Sequence, residues 1–230
     1  MLVSVILPVF NGERYLAEAI ASIRRQPHSP LEIIVIDDGS TDGTAFLLER
    51  LGPDIQVVHQ SNQGPAVARN RGLELATGDV IAFLDADDFW PHDKLQLQLP
   101  VLEAIPSVQI VMGKVQRLQP VHQENGRPVF QPSSPPWQEL LLGCTVCRRS
   151  VFDRIGGFDP VLRTGEDTDW FLRTRSANVS TAVLEQVTLF YRRHPHSLTW
   201  GMDHRSTTIF PVLKRVLQRH RQPPDETGIE

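Results

Sequence analysis

The chain has 230 residues, 40% of them hydrophobic, enough for one large globular core or two small ones. A formal net charge of −4 and a pI near 6.1 exclude the polycationic surface that binds nucleic acid by counterion release, and no apolar run reaches the roughly 18 residues of a membrane span. Cys144 and Cys147 form a single CxxC, with no second pair for a zinc site, too few cysteines for a disulfide-stapled fold, and a position too late for a thioredoxin-type redox motif, so packing or surface thiols are expected.

The opening MLVSVILPVF lacks a basic leader and a small-residue cleavage pattern and reads as a first strand over 3–7, not a signal peptide. Pro8, Asn11 and Gly12 close it, and 13–26 follows with Leu16, Ala19, Ile20 and Ile23 at helical spacing. A second apolar run over 31–36 ends in DDGSTDGT, and a helix over 45–51 takes Asp42 or Thr41 as its N-cap. A third strand spans 55–59. Gly64 and Pro65 open a helix to about residue 76, where the missing proline N–H costs nothing. The fourth strand covers 80–84. Continuous apolar strands alternating with amphipathic helices predict a mostly parallel, Rossmann-like α/β sheet covered on both faces.

From residue 106 the pattern changes. A strand is predicted over 108–115, a loop or irregular hairpin over the proline-rich 119–136, helices over 137–142, 150–155 and 167–175, a strand over 188–192 and a last helix over 204–220. The chain shows no internal repeat or long linker. One domain over 1–230 is expected, with a first half over 1–105, a second half over 106–200, and a C-terminal helix and tail over 201–230.

Ligands of open α/β sheets bind beyond the carboxyl ends of the strands, and the polar clusters sit there. These are Pro8 to Asn11, Asp37 to Ser40, Asn62 to Gly64 with Arg69, and Asp85, Asp87 and Asp88. Carboxylates suit a nucleotide's base N–H and ribose hydroxyls, and an Asp-x-Asp can share a hard cation that holds phosphate oxygens. No G-x-G-x-x-G follows the first strand and no G-x-x-x-x-G-K-[ST] occurs, which disfavours Rossmann dinucleotide and P-loop binding.

The ordered series SVILPVFNGERYL, IVIDDGSTDGT, NQGPAVARNRGL, GDVIAFLDADD, RIGGFDP, GEDTDWFLR and YRRHPHS resembles the family 2 glycosyltransferases, inverting enzymes of the GT-A fold that use nucleotide-diphosphate sugars. The resemblance implies that 1–105 is the nucleotide-binding half and 106–200 the acceptor-binding half, and it implies roles for single residues. Pro8, Phe10, Asn11 and Glu13 line the base and ribose pocket, with Phe10 standing where the family often has tyrosine. Asp38 accepts the base imide N–H, which favours UDP over dTDP and GDP; Gly64 and Arg69 approach the nucleotide; and Asp85 contacts ribose or sugar. Asp87 holds Mn²⁺ or Mg²⁺ against the diphosphate, with His194 as a further ligand, while Asp88 caps a turn.

Asp167 is the implied general base, with Glu166 orienting it or touching the acceptor. Asp169 points elsewhere, and Trp170 is a packed indole, with an acceptor platform as the alternative. Arg192, Arg193 and His196 are candidates to close over the diphosphate, with plain surface charges as the alternative. The processive synthases' Q-x-x-R-W segment and membrane spans are absent, so one sugar is expected to move to a sugar or lipid-linked sugar hydroxyl, in polysaccharide or glycoconjugate synthesis. The protein is expected in the cytoplasm. Lys214, Arg215, Arg219, His220 and Arg221 form a solvated helix face or, alternatively, a peripheral contact with the inner membrane face. The rival readings are a sugar-nucleotide nucleotidyltransferase, which should carry a basic glycine-rich loop after the first strand, and a non-catalytic nucleotide-sugar-binding module.

Overall fold

A computed structural model describes residues 1–195, 197, 200 and 209–221, the side chains of 220 and 221 excepted. Strands β1 (Val3–Val9), β2 (Leu31–Asp37), β3 (Ile55–His59) and β4 (Val80–Phe83) alternate with helices α1 (Leu16–Arg24), α2 (Thr44–Glu49) and α3 (Pro65–Leu75). They pair in parallel in the order β3-β2-β1-β4. Their side chains are buried on both faces, as the unbroken apolar runs require: Val5, Ile6, Leu7, Ile34, Val35 and Ile36 are fully enclosed. The register sets Val9 beside Asp37 and Asp37 beside His59. The Leu84 N–H reaches Ile6 O, so the loops after β1, β2, β3 and β4 leave the sheet at one edge.

Helix α3 lies close on this sheet because its inner face is small: Ala66, Ala68 and Gly72 are buried. A Cβ on Gly72 would stand 2.3 Å from Ile6 Cγ2. That approach sets the depth at which Arg69, on the same helix, enters the strand-end crevice.

The second half continues the same sheet through β5 (Ile110–Glu124), β6 (Arg127–Pro132), β7 (Thr145–Arg148) and β8 (Thr181–Arg192), flanked by α4 (Lys94–Ala104), α5 (Arg149–Ile155), α6 (Glu166–Ser176) and α7 (Phe210–Arg221). β7 pairs antiparallel with β4 and β5, whereas β8 runs parallel to β5. Both halves therefore share one mostly parallel α/β sheet.

Several predicted elements change. Of the two forms expected for 119–136 the irregular hairpin is found: β5 and β6 pair with a register shift between Pro120 and His122 and are closed by Asn125 and Gly126, both at positive φ (51° and 75°), the geometry of a type I′ turn. Residues 137–142 are not a helix. Trp137 exchanges both backbone hydrogen bonds with Val115, which leaves no backbone groups for a helical turn, and only a short 3₁₀ turn at Leu142–Cys144 follows. The CxxC enters β7, where both thiols are free and buried; burial pushes Cys144 up to about 11 and Cys147 higher still, so they are packing groups. The strand expected over 188–192 begins earlier, at Thr181. Of the last helix, residues 204–208 lie outside the described residues.

Helix α4 is an element the sequence pattern did not suggest, since Pro100 inside it reads as a breaker. Leu95, Leu99 and Leu102 nonetheless give it a buried stripe. Its buried Lys94 amine donates to Gln98 Oε1 at 2.6 Å and Thr145 O at 3.3 Å, with burial drawing it down to about 7. Gln98 in turn reaches Val111 O and Cys144 O. Trp90 completes the support, its indole N–H on Gly143 O at 3.0 Å, directly behind the loop that carries Asp85 to Asp88.

Gly72→Ala should cost about 1–3 kcal/mol by overpacking Ile6, read as a lower urea midpoint with an unchanged slope; an unchanged midpoint would show that α3 can lift from the sheet without penalty.

Candidate active site

The first two strand-end loops are stitched to each other. Asn11, at φ 54°, accepts the Thr41 N–H at 2.8 Å and gives its own N–H to Ser40 Oγ at 2.9 Å. The Glu13 carboxylate accepts the Gly43 N–H at 3.0 Å, and Asp42 accepts the N–H groups of Glu13 and Thr44. Asn11 and Glu13, expected to line the nucleotide pocket, thus spend these polar groups on loop geometry. Pro8 is half-buried in β1. Phe10 is different: its ring is 51% exposed at the crevice edge, available for stacking.

Asp38 is buried and anchors the third loop. Its Oδ1 accepts from Gln60 Nε2 at 2.8 Å and Gln63 N at 2.9 Å, and its Oδ2 accepts the Gly64 N–H at 2.8 Å. Gly64 holds φ 94°, a conformation suited to glycine, and opens α3 with Pro65 in the first turn.

Arg69 comes from α3 into the centre of the crevice. Its guanidinium binds Asp85 Oδ1 at 2.6 Å on one side and Glu166 Oε1 on the other. Arg69 and Glu166 are both about 7% exposed, whereas Asp85 is 46% exposed. The Arg69 Nε is buried with no hydrogen-bond partner among the described residues. Two carboxylates overcome the burial that would otherwise weaken its charge, and the guanidinium is held protonated more firmly than usual. One ion triad therefore joins the acid after β4 to the acid that opens α6.

Beyond Asp85 the strand-end acids diverge. Asp88 is buried and accepts the Arg192 N–H at 2.8 Å; burial, then Asp87 and Asp85, raise its carboxyl well above the ordinary range. Rather than only turning its own loop, it pins that loop to the end of β8. Asp87 stays partly exposed, with Oδ2 at 3.2 Å from His194 Nε2. Carboxylate and imidazole are thus close enough that one divalent cation could meet both; the carboxylate suits Mg²⁺ or Mn²⁺, whereas an imidazole by itself favours later transition metals. Among the described residues no group of three or more His, Cys, Asp or Glu side chains could hold a metal, so an ion at Asp87 and His194 would need ligands from outside these side chains.

Arg192 is 3% exposed. Its guanidinium binds Glu18, donates to Asp87 O at 2.9 Å and lies over the rings of Phe89 (4.4 Å), Tyr15 (5.2 Å) and Phe130 (5.6 Å). So enclosed, it braces the loop of Asp85 to Asp88 instead of swinging over a ligand as a lid. Arg193 is exposed beside Trp200, and His196 lies outside the described residues.

Helix α6 presents Glu166, Asp167 and Asp169 in its first turn, where the helix dipole favours negative charge. Asp167 is partly buried. Its Oδ1 accepts the Thr168 N–H at 2.6 Å, and Oδ2 accepts no hydrogen bond among the described residues. Desolvation and the neighbouring Glu166, against the pull of Arg69, push its carboxyl up to about 7. Asp169 is fully buried and faces away, paired with Arg173 and Arg219. Trp170 is 1% exposed and stacks on Phe152 at 4.7 Å, a core indole and no acceptor platform. Arg215 and Arg219 dock α7 onto Asp159 and Asp169, so the basic face of that helix is partly an internal clamp rather than a solvated surface. Lys214 alone of the described basic side chains in this set is fully outward.

Sequence reading missed the supporting shell. Tyr15 packs 4.7 Å from the His194 ring, Glu18 holds Arg192, and Arg163 lies against Gly64. Only the position of Arg163, just before GED, carried a local hint.

A family model described as "Glycosyl transferase family 2" matches residues 4–156. An uncharacterized glycosyltransferase of Rickettsia felis is 47% identical over 189 residues, covering 76% of this chain and 30% of that protein. A putative teichuronic acid biosynthesis glycosyltransferase, TuaG of Bacillus subtilis, is 47% identical over 102 residues, 43% of this chain and 40% of the relative. The chain thus spans well under half of either. Among solved structures, S. aureus TarS in complex with UDP-GlcNAc superposes with a TM-score of 0.74 at 21% identity, covering 98% of this chain and 68% of that one. The mannosyltransferase PcManGT of Pyrobaculum calidifontis, in complex with GDP-Man and Mn²⁺, gives 0.72 at 22%, with 96% and 66% covered. The fold is GT-A.

Arg69→Met would leave Glu166 buried and unpaired, a loss of about 3–5 kcal/mol. Denaturant unfolding should show it, and Arg69→Met with Glu166→Met should recover part of the stability; no recovery would mean that Glu166 is not the uncompensated charge.

Proposed function

The chain belongs to glycosyl transferase family 2, and we propose that it moves one sugar from a nucleotide-diphosphate sugar, UDP-linked first, to an acceptor hydroxyl with inversion. The observation that carries this reading is Asp167. It is a carboxylate raised to about 7, with one oxygen uncommitted among the described residues, held one residue from the Glu166–Arg69–Asp85 triad. A general base works best with a pKa near the working pH.

In this mechanism Phe10 stacks on the base, and Asp38 uses the acceptor capacity left on Oδ2 for the imide N–H. Asp85, fixed by Arg69, faces ribose or sugar. Asp87 and His194 would hold Mn²⁺ or Mg²⁺, which when bound neutralises charge on the departing diphosphate. Asp167 Oδ2 accepts the proton of the acceptor hydroxyl as its oxygen attacks the anomeric carbon, and the bond to the diphosphate oxygen breaks with its electron pair leaving on the nucleotide. No covalent enzyme intermediate forms, so the configuration inverts. The relative named for teichuronic acid biosynthesis supports an acceptor in cell-surface polysaccharide or glycoconjugate synthesis; the reaction is proposed to take place in the cytoplasm or at the inner membrane face. Among the described residues no helix is long and apolar enough to cross a membrane.

The test is calorimetry with UDP-, dTDP- and GDP-sugars in Mn²⁺, followed by product formation with the donor that binds. Binding that weakens on Asp87→Ala is expected; no binding of any of the three overturns the reading. Asp167→Asn should lower kcat by about 100-fold or more, while wild-type kcat/KM rises with pH through about 7 and then levels off. The same variant should be more stable than wild type at pH 8. A carboxyl held up to about 7 in the folded chain, against about 3.9 unfolded, costs stability increasingly above pH ~4. At pH 4 the two melting temperatures should converge; a variant that is less stable at pH 8 would contradict the assigned environment.

A further inference from the structure

The crevice is rich in carboxylates, and its two buried arginines are already committed, Arg69 to Asp85 and Glu166 and Arg192 to Glu18. Arg163 is not. It is exposed, and among the described residues it has neither an ion pair nor a hydrogen bond. Its side chain rests on Gly64, where a Cβ would stand 3.2 Å from Nη1 and 3.3 Å from Cδ. Arg14 and Arg193, also without carboxylate partners, lie instead over the rings of Tyr15 and Trp200.

Gly64 belongs to the nucleotide half, fixed there by Asp38, whereas Arg163 belongs to the loop that leads into Glu166 and Asp167. The guanidinium thus crosses from the loop of the base to the loop of the nucleotide. A side chain at position 64 would fill its seat, and the absence of one leaves the fork free to turn toward a ligand. An incoming diphosphate meets Asp38, Asp85, Asp87, Glu166 and Asp167 with both buried arginines spent, so it needs a further cation besides a metal. A planar guanidinium matches phosphate oxygens in two-pronged fashion.

We propose that Arg163 binds a phosphate oxygen of the nucleotide-diphosphate donor, so that donor binding also fixes the loop entering α6. This rests on the donor reading above and adds a residue and a coupling to it. Arg163 is a donor-specificity residue that distinguishes the nucleotide diphosphate from the nucleoside.

The test measures UDP and uridine affinity by calorimetry, with Mn²⁺ present, for wild type, Arg163→Gln and Arg163→Lys. Loss of one charge-assisted contact predicts UDP binding about tenfold weaker for Arg163→Gln, partial recovery for Arg163→Lys, and uridine affinity unchanged in all three. Equal UDP affinity in wild type and Arg163→Gln overturns this proposal alone, as does a variant that changes only the acceptor KM. A parallel loss for uridine overturns it too, by showing a structural role. A wild type that binds neither UDP nor uridine overturns this proposal and the preference for UDP, and if dTDP and GDP also fail to bind, the donor reading falls with them.

Discussion

The ion triad at Arg69 is the contact on which the crevice depends. A guanidinium and a carboxylate both removed from water cost several kcal/mol unless their partners are well placed. Here one buried cation answers two acids, one on each side of the sheet's crevice, and so fixes where Asp85 and Glu166 stand. Asp167 sits beside that triad, and burial, then Glu166, raise its carboxyl while Arg69 restrains it. Chemistry and architecture are thus coupled through a single side chain, whose depth is set by the close packing of Gly72 on Ile6.

Around the triad, the strand-end loops hold one another more than they hold solvent. Asn11, Glu13 and Asp42 join the first loop to the second; Asp38 joins the second to the third; Asp88 and Arg192 join the fourth to β8. Among the groups with an expected role, those that reach solvent include the Phe10 ring, Asp85, Asp87 and one oxygen of Asp167, with Arg163 beside them. That division, with most polar groups spent on geometry behind and a few partly exposed ones in front, is how a crevice keeps its shape before a ligand arrives. It has a cost, because a carboxyl kept near pKa 7 by desolvation opposes folding at neutral pH.

Much of the first half was legible in the chain. Its strands are unbroken apolar runs whose burial on both faces follows from parallel pairing, and the acids after β2 and β4 mark the edge where they emerge. The second half was less legible because its elements rest on pairing between distant segments. The Trp137 backbone is extended because Val115, far upstream, takes its hydrogen bonds. β5 and β6 carry polar residues along an exposed hairpin, though Asn125-Gly126 did announce the turn. α4 hides behind Pro100. At the site the motif residues were readable, but their pairings were not: Arg69 meets Glu166 across 97 positions, and Arg192 looked like a mobile charge until Phe89, Tyr15 and Phe130 were seen to enclose it.

The measurement that bears most directly on the central claim is a crystal structure with UDP and Mn²⁺, with the ion located by its anomalous signal. The account predicts the Mn²⁺ peak at Asp87 and His194 against the diphosphate, the base stacked on Phe10, and Arg69 still bridging Asp85 and Glu166. An ion bound away from Asp87, or a nucleotide seated with the Arg69 bridge broken, would contradict it.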